Sequence, residues 1–319
     1  MIWTNVILTE PARELLIGAT KSNHLTFAEQ PKDVLAVGAP DSRLEDAEIV
    51  FGQPDPEFLE RSQKLRWVHL SSAGYSRYDN QKFREALRAK GAVMTNSSSV
   101  FDEPCAEHVM AWLLADARQL YPAYDNQRDQ HSWPQNRLRA NVRLLADQKI
   151  LIVGYGAIGT QLVQLLTPYH VSIVGYRRTP QSESPIPIVS QKDLPDALAN
   201  ADHVVNILPE SESTFGFFNA TRFAQMKPGC RYYSIGRGPT TDQKALQETL
   251  NSNHLFAAYL DVTDPEPLQP DHFLWHTKNC FITPHMSGGH VNESERLVQH
   301  FIENLARYDS KKPLLDKIV

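Results

Sequence analysis

Cysteine is scarce in this chain: Cys105, Cys230 and Cys280 are the only three among 319 residues. They stand far apart and form no CxxC pair, so a disulfide scaffold is not expected and the three read as reduced, buried thiols. No HExxH and no Cys/His cluster occurs, so no metal site is expected. No uncharged apolar run approaches the roughly 18 residues a membrane span needs, and no membrane partner is expected. The opening residues MIWTNVILTEPARELL lack a basic segment followed by a long apolar core. A secretory signal is therefore not expected, and a cytoplasmic location is the default expectation. Positive charge is not in excess either: 32 Lys and Arg face 37 Asp and Glu, a net charge of −5. That balance gives nucleic acid no extended basic surface.

What the chain does contain is alternation. The runs VLAV (34–37), EIVF (48–51), WVHL (67–70), AVMT (92–95), KILIVG (149–154), VSIVGY (171–176), HVVNIL (203–208), RYYSIG (231–236) and NCFITP (279–284) read as strands. Segments long enough for crossover helices separate them, which predicts an α/β fold of parallel sheets with helices on both faces. Two helices bracket the second half. Asp102 is the expected cap of one, with Pro104 in its first turn. It continues as CAEHVMAWLLADAR and is apolar on nearly every side, so it should be buried or lie in a subunit interface. The other runs from about Asn292, with Glu295 placed as in a capping box and Leu297, Phe301 and Leu305 on one stripe.

GYGAIG, residues 154–159, follows a strong strand and opens a helix with Ile158, Leu162, Leu165 and Leu166 on one face. In that context the glycines point to a dinucleotide site: Gly154 permits the tight turn, Gly156 admits the pyrophosphate, and Gly159 lets helix and strand pack closely. The free N–H groups of the helix start, around Ala157 and Ile158, would attract the phosphates. The strand VSIVGY then ends in Arg177, Arg178 and Thr179, where an NAD-binding unit carries an acid. Guanidinium forks and a hydroxyl suit a 2′-phosphate, so NADP(H) is expected in preference to NAD(H). The alternative is a solvated basic pair on a loop.

Three further stretches each fall just after a predicted strand: SIGRG (234–238), LDVTDPEPL (260–268) and TPH (283–285). Ligands of open α/β sheets bind beyond the carboxyl ends of strands, so Arg237, Glu266 and His285 can converge. An arginine can hold a carboxylate and polarise a keto oxygen. An imidazole can give that oxygen a proton, and a carboxylate can orient the imidazole. Each residue alone would be an ordinary surface or structural side chain; their joint placement carries the argument.

With GYGAIG, LPESEST (208–214), MKPG (226–229), GRG, LDVTDPEPL and TPH in this order, the chain resembles the D-isomer-specific 2-hydroxyacid dehydrogenases from about residue 67 to 305. The resemblance implies the roles just given for Arg237, Glu266 and His285. It also implies that Asp261 and the 208–214 segment, with Leu208, Pro209 and Thr214, line the nicotinamide; Ile235 joins the cofactor-binding set. It implies that backbone N–H groups of Ser72, Ala73 and Gly74 take the substrate carboxylate. The expected architecture is two doubly wound parallel-sheet domains, a Rossmann domain (100–286) inserted into a flavodoxin-like substrate domain (1–99 and 287–319). A homodimer formed through the nucleotide-binding domain, where the 104–118 helix lies, is implied, and Trp133 is a candidate to reach a partner subunit. Tyr75 and the loop around Gln53 and Pro54 are expected to border the substrate. The expected activity is NADPH-dependent reduction of a small 2-oxo acid, such as glyoxylate or hydroxypyruvate, to a D-2-hydroxy acid. Ser234 departs from the Asn that many relatives carry there. The runner-up is a nucleotide-sensing corepressor that binds a protein partner, as some relatives do.

Overall fold

The computed structural model describes the chain apart from residues 22, 33–35, 37 and 179–183. Residues 34, 35 and 37 of the strand expected at 34–37, and Thr179, lie outside the described residues. Two compact units form: Met1–Phe101 with Gly289–Val319, and Asp102–Gly288.

The first unit carries the strands β1 (Ile2–Val6), β2 (Leu25–Lys32), β3 (Ile49–Gly52), β4 (Trp67–Leu70) and β5 (Val93–Thr95). The helices α1 (Glu10–Ala19), α2 (Pro56–Arg61) and α3 (Gln81–Ala89) connect them. The sheet is parallel in the order β2-β1-β3-β4-β5, the flavodoxin-like winding. Strands buried on both faces read as continuous apolar runs, and successive residues feed opposite cores. Ile2, Ile49, Phe51 and Trp67 enter one core, while Trp3, Val50 and Val68 enter the other.

The next helix, α4 (Ser98–Ala117), begins four residues before the expected cap, so Asp102 and Pro104 lie inside it. The reason is a better cap upstream. Asn96 Oδ1 accepts from Ser98 N at 3.3 Å, and Asp316 Oδ2 accepts from Ser99 N at 2.9 Å. Pro104 then removes one intrahelical bond rather than none.

The second unit holds β6 (Lys149–Val153), β7 (Ser172–Tyr176), β8 (Ile188–Val189), β9 (His203–Asn206), β10 (Arg231–Ser234), β11 (Ala257–Leu260) and β12 (Cys280–Ile282). Its helices are α5 (Leu120–Asp125), α6 (Gln135–Arg139), α7 (Ala157–Leu166), α8 (Leu194–Asn200), α9 (Ala220–Gln225) and α10 (Gln243–Asn251). The parallel order β12-β11-β10-β9-β6-β7-β8 is the dinucleotide-fold winding, with its reversal beside β6. Again alternation feeds two cores: Ile150 and Ile152 pack with Ala106, Val109, Trp112 and Leu113 of α4, and Leu151 and Val153 pack on the other face. Buried Asp116 ties the end of α4 to the sheet, accepting from Arg143 (2.9 Å), Arg231 (2.9 Å) and Tyr259 (3.0 Å).

The last helix, α11 (Glu293–Asp309), returns to the first unit's sheet. Phe301 stacks on Phe51 at 4.4 Å and on Trp67 at 5.3 Å, and Leu297 and Leu305 are buried beside it. The expected capping box does not form. Asn292 makes no side-chain cap, and Glu295 instead accepts from Thr9 Oγ1 at 2.7 Å, clamping the start of α1.

Candidate active site

The three polar side chains singled out in sequence follow three neighbouring strands of the second unit: Arg237 after β10, Glu266 after β11 and His285 after β12. His285 Nδ1 meets Glu266 Oε2 at 2.7 Å, and Glu266 Oε1 accepts from Thr263 N at 2.9 Å. Burial pushes the Glu266 carboxyl up. The hydrogen bonds from His285 and Thr263 and the positive charges of His285 and Arg237 outweigh it and leave the group below its ordinary value. Glu266 is therefore a carboxylate at neutral pH. With Nδ1 facing that carboxylate, Nε2 is the nitrogen left to carry a transferable proton.

Removing the charge tests this pairing. Glu266→Gln removes the carboxylate that orients the ring through Nδ1, so kcat should fall about tenfold with the substrate KM changed much less. Steady-state rates of the two proteins at saturating substrate check it; an unchanged kcat would remove Glu266 from the assignment.

His285 sits in the left-handed region at φ 49°, a conformation histidine tolerates better than most residues. Its neighbours hold it there. His285 N donates to Asp261 O at 2.8 Å; Met286 N and Ser287 N donate to the two Asp261 carboxylate oxygens at 2.9 Å each; Thr283 Oγ1 donates to Oδ1 at 2.6 Å. Asp261, expected to line the nicotinamide, thus grips the turn that presents the imidazole. His108, inside α4, reaches Thr283 Oγ1 at 3.2 Å and packs edge-on against Trp112. Burial lowers its pKa, with Asp261 opposing, so it is a neutral brace.

Arg237 sits on a backbone wedged between loops: a methyl group at Gly238 would overlap the Thr263 carbonyl. Gly238→Ala should shift Arg237 and cost about 1–3 kcal/mol in stability, read by thermal melting. Beneath it, buried Asn206 donates to Tyr232 OH (2.9 Å), Thr240 Oγ1 (2.8 Å) and Ser234 Oγ (3.3 Å), and accepts from Leu208 N at 3.1 Å. Ser234, the departure noted in sequence, is a member of this network, and Ile235 is buried just beyond it.

The loop after β6 has the shape a pyrophosphate needs. Gly154 takes φ 94°, and a methyl there would meet the Ile207 backbone at 2.8 Å. At Gly156 a methyl would meet nothing nearer than Gly154 O at 3.8 Å, so no protein packing demands glycine; the open space suits a ligand. Gly156 caps α7, whose first turn, Ala157, Ile158 and Gly159, has N–H groups that no helical carbonyl can reach. After β7, Arg177 is half-buried and Arg178 Nη1 donates to Ser213 Oγ at 2.9 Å. That joins the loops after β7 and β9. Thr214 Oγ1 closes the second loop on Pro209 O at 2.6 Å.

In the first unit, Ser72, Ala73 and Gly74 follow β4. Among the described residues, none of their N–H groups has a protein acceptor. Gln53, expected at the substrate's border, is buried and gives its amide to Ser72 Oγ (2.9 Å) and Ser71 Oγ (3.2 Å); Tyr75 is half-buried. Trp133, in the second unit, is 89% exposed. No group of three His, Cys, Asp or Glu among the described residues is placed to hold a metal ion, and no described helix is long and apolar enough to cross a membrane.

The sequence profile described as "D-isomer specific 2-hydroxyacid dehydrogenase, NAD binding domain" matches residues 110–287, more than half of the chain. The chain belongs to the D-isomer specific 2-hydroxyacid dehydrogenase family. It is an NAD(P)-dependent oxidoreductase of that family. Glyoxylate/hydroxypyruvate reductase B of Salmonella schwarzengrund is 31% identical over 255 residues, 77% of this chain and 76% of that one. A D-isomer specific 2-hydroxyacid dehydrogenase family protein of Aeromonas salmonicida has TM-score 0.81 at 26% identity, covering 100% of this chain and 98% of its own. The fold of a D-isomer specific 2-hydroxyacid dehydrogenase from Xanthobacter autotrophicus, solved with NADPH and MES, is also similar: TM-score 0.82 at 23% identity, covering 100% and 97%.

Sequence reasoning about this dehydrogenase passed over Asn206 and the grip of Asp261. The signal for Asn206 was present: an amide in HVVNIL, where a strand buried on both faces carries, His203 apart, apolar residues. A buried amide there must be bonded on several sides.

Proposed function

We propose that this dehydrogenase reduces small 2-oxo acids, of the size of glyoxylate or hydroxypyruvate, to D-2-hydroxy acids with NADPH. The observation that carries the reading is the 2.7 Å pair of His285 and Glu266, with Arg237 acting on the same carboxylate, at the carboxyl ends of neighbouring strands. The similarity to a glyoxylate/hydroxypyruvate reductase supports the choice of substrate size.

A reduced nicotinamide, once held there, would supply the hydride for the keto carbon. Arg237 holds the substrate carboxylate and polarises the keto oxygen. His285 gives that oxygen its proton from Nε2, while Glu266 stabilises the protonated ring. The N–H groups of Ser72, Ala73 and Gly74 take carboxylate oxygens, and Asp261 keeps the imidazole in register through the 283–287 turn. Gly156, Ala157, Ile158 and Gly159 take the pyrophosphate; Arg177 and Arg178 take the 2′-phosphate; Leu208, Pro209, Thr214 and Ile235 border the cofactor. The exposed Tyr124, Trp133 and Leu144 after α4 fit a homodimer built on that segment.

The test is a panel of 2-oxo acids of increasing size, each assayed with NADPH and NADH. The expected result is turnover greatest for two- and three-carbon acids with NADPH. Absence of turnover on every 2-oxo acid would refute the proposal.

A further inference from the structure

In the second unit one buried amide reaches two of the loops that follow the strands. Asn206 ends β9 and pairs in register with Ser234, which ends β10. Asn206 Oδ1 accepts from Leu208 N at 3.1 Å, fixing the root of the 208–214 loop. Its Nδ2 donates to Thr240 Oγ1 at 2.8 Å, and that hydroxyl gives its own proton to Arg237 O at 2.6 Å. Thr240 N donates to the same carbonyl at 3.1 Å. Arg237 Nη1 folds back on Gly236 O at 2.6 Å, and a methyl group at Gly236 would overlap the Leu208 carbonyl. The two loops therefore meet backbone to backbone and share one brace. Asn206 and Thr240 are both fully buried, so solvent cannot replace a lost bond, and neither side chain can turn without leaving a polar group unpaired.

We propose that Asn206, acting through Thr240, is a positioning residue that couples cofactor and substrate binding. The amide that sets the nicotinamide-side loop also sets the backbone of the arginine that takes the carboxylate. Leu208, once steadied by cofactor, steadies Arg237 before the acid arrives. The inference rests on the proposed roles of Leu208 and Arg237.

Thr240→Val removes one hydroxyl. It cuts the arm to Arg237 and leaves Asn206 its bonds to Leu208 N and to Tyr232 OH at 2.9 Å. The test measures oxamate binding by calorimetry, with and without saturating NADPH. In the wild type NADPH should tighten oxamate about tenfold, an ordinary size for coupling between two sites. In Thr240→Val that factor should fall to about two or less, while NADPH affinity without oxamate stays within about twofold. Thr240→Ser keeps the hydroxyl and should restore the factor. Asn206→Asp keeps the shape and the bond to Leu208 N but offers Thr240 an acceptor. The Thr240 proton then turns from Arg237 O to the carboxylate, and the factor should fall again; this variant carries the test should Thr240→Val not fold. In turnover, Thr240→Val and Asn206→Asp should raise the KM for glyoxylate about tenfold with the KM for NADPH nearly unchanged.

An unchanged coupling factor in folded Thr240→Val or Asn206→Asp would overturn the inference. So would a wild type in which NADPH leaves oxamate affinity unaltered, or a Thr240→Ser as uncoupled as Thr240→Val, which marks a packing role. If the wild type reduces no 2-oxo acid, the functional proposal falls alone when NADPH still tightens oxamate and Thr240→Val abolishes that effect. If oxamate binds neither with nor without NADPH, both fall.

Discussion

Replacing His285 with glutamine is expected to lower kcat for glyoxylate reduction by about 10²–10⁴-fold, the usual contribution of a positioned proton donor. NADPH binding should be unchanged. An amide of similar reach can still donate to Glu266, so the 2.7 Å contact and the turn gripped by Asp261 have a substitute partner. What the amide cannot do is give up a proton near neutral pH. The loss should therefore fall on the chemical step, with the substrate KM changed much less, as for an interaction that matters in the transition state. Single-turnover reduction after premixing enzyme and NADPH separates the two, and titration of NADPH fluorescence reports binding directly. Loss of NADPH affinity alongside turnover would make His285 a structural residue. Because position 285 is left-handed, His285→Asn is the control: asparagine tolerates that backbone well and should lose the same proton transfer.

How much of this was legible in sequence follows from what periodicity reports. Parallel strands buried on both faces show as apolar runs, so β3 to β7, β9, β10 and β12 were readable to within a residue or two. β2 was not, because its residues LTFAEQPK are half-buried or exposed at the sheet's edge and half of them are polar. β11, AAYL, was missed because alanine carries little strand preference, although all four residues are buried. β1 was missed although IWTNV is wholly buried: two polar residues interrupt the run. The start of α4 was misread for a different reason. Beside Asn96, its cap comes from Asp316, more than 200 residues away, and no local pattern reveals a partner at that distance. The same limit applies to the site. Arg237, Glu266 and His285 stood out because each follows a strand, but that Asp261 fastens the 283–287 turn, or that Asn206 braces the Leu208 backbone, depends on who meets whom across the sheet.

Removing both arginines after β7 should have its effect on one cofactor only. Arg177→Ala with Arg178→Ala is expected to raise the KM for NADPH about 100-fold, since each charge-assisted hydrogen bond to a phosphate contributes roughly 1.5–3 kcal/mol when formed and some of that is screened here by solvent. The KM for NADH should stay within about threefold, because the ribose hydroxyls of NADH offer a guanidinium no charge to pair with. Arg178 is pre-positioned by its 2.9 Å bond to Ser213, so the loop after β9 helps set where that charge sits. Ser213→Ala should accordingly weaken NADPH alone, by a smaller factor than the double replacement. Ionic strength gives an independent check: between 0.05 and 0.5 M salt the wild-type KM for NADPH should climb while that for NADH hardly moves, as screening acts on the phosphate contact. Equal losses for both cofactors in the double variant would instead place the two arginines on an ordinary solvated loop, and the preference for NADPH would have to come from elsewhere in the nucleotide site.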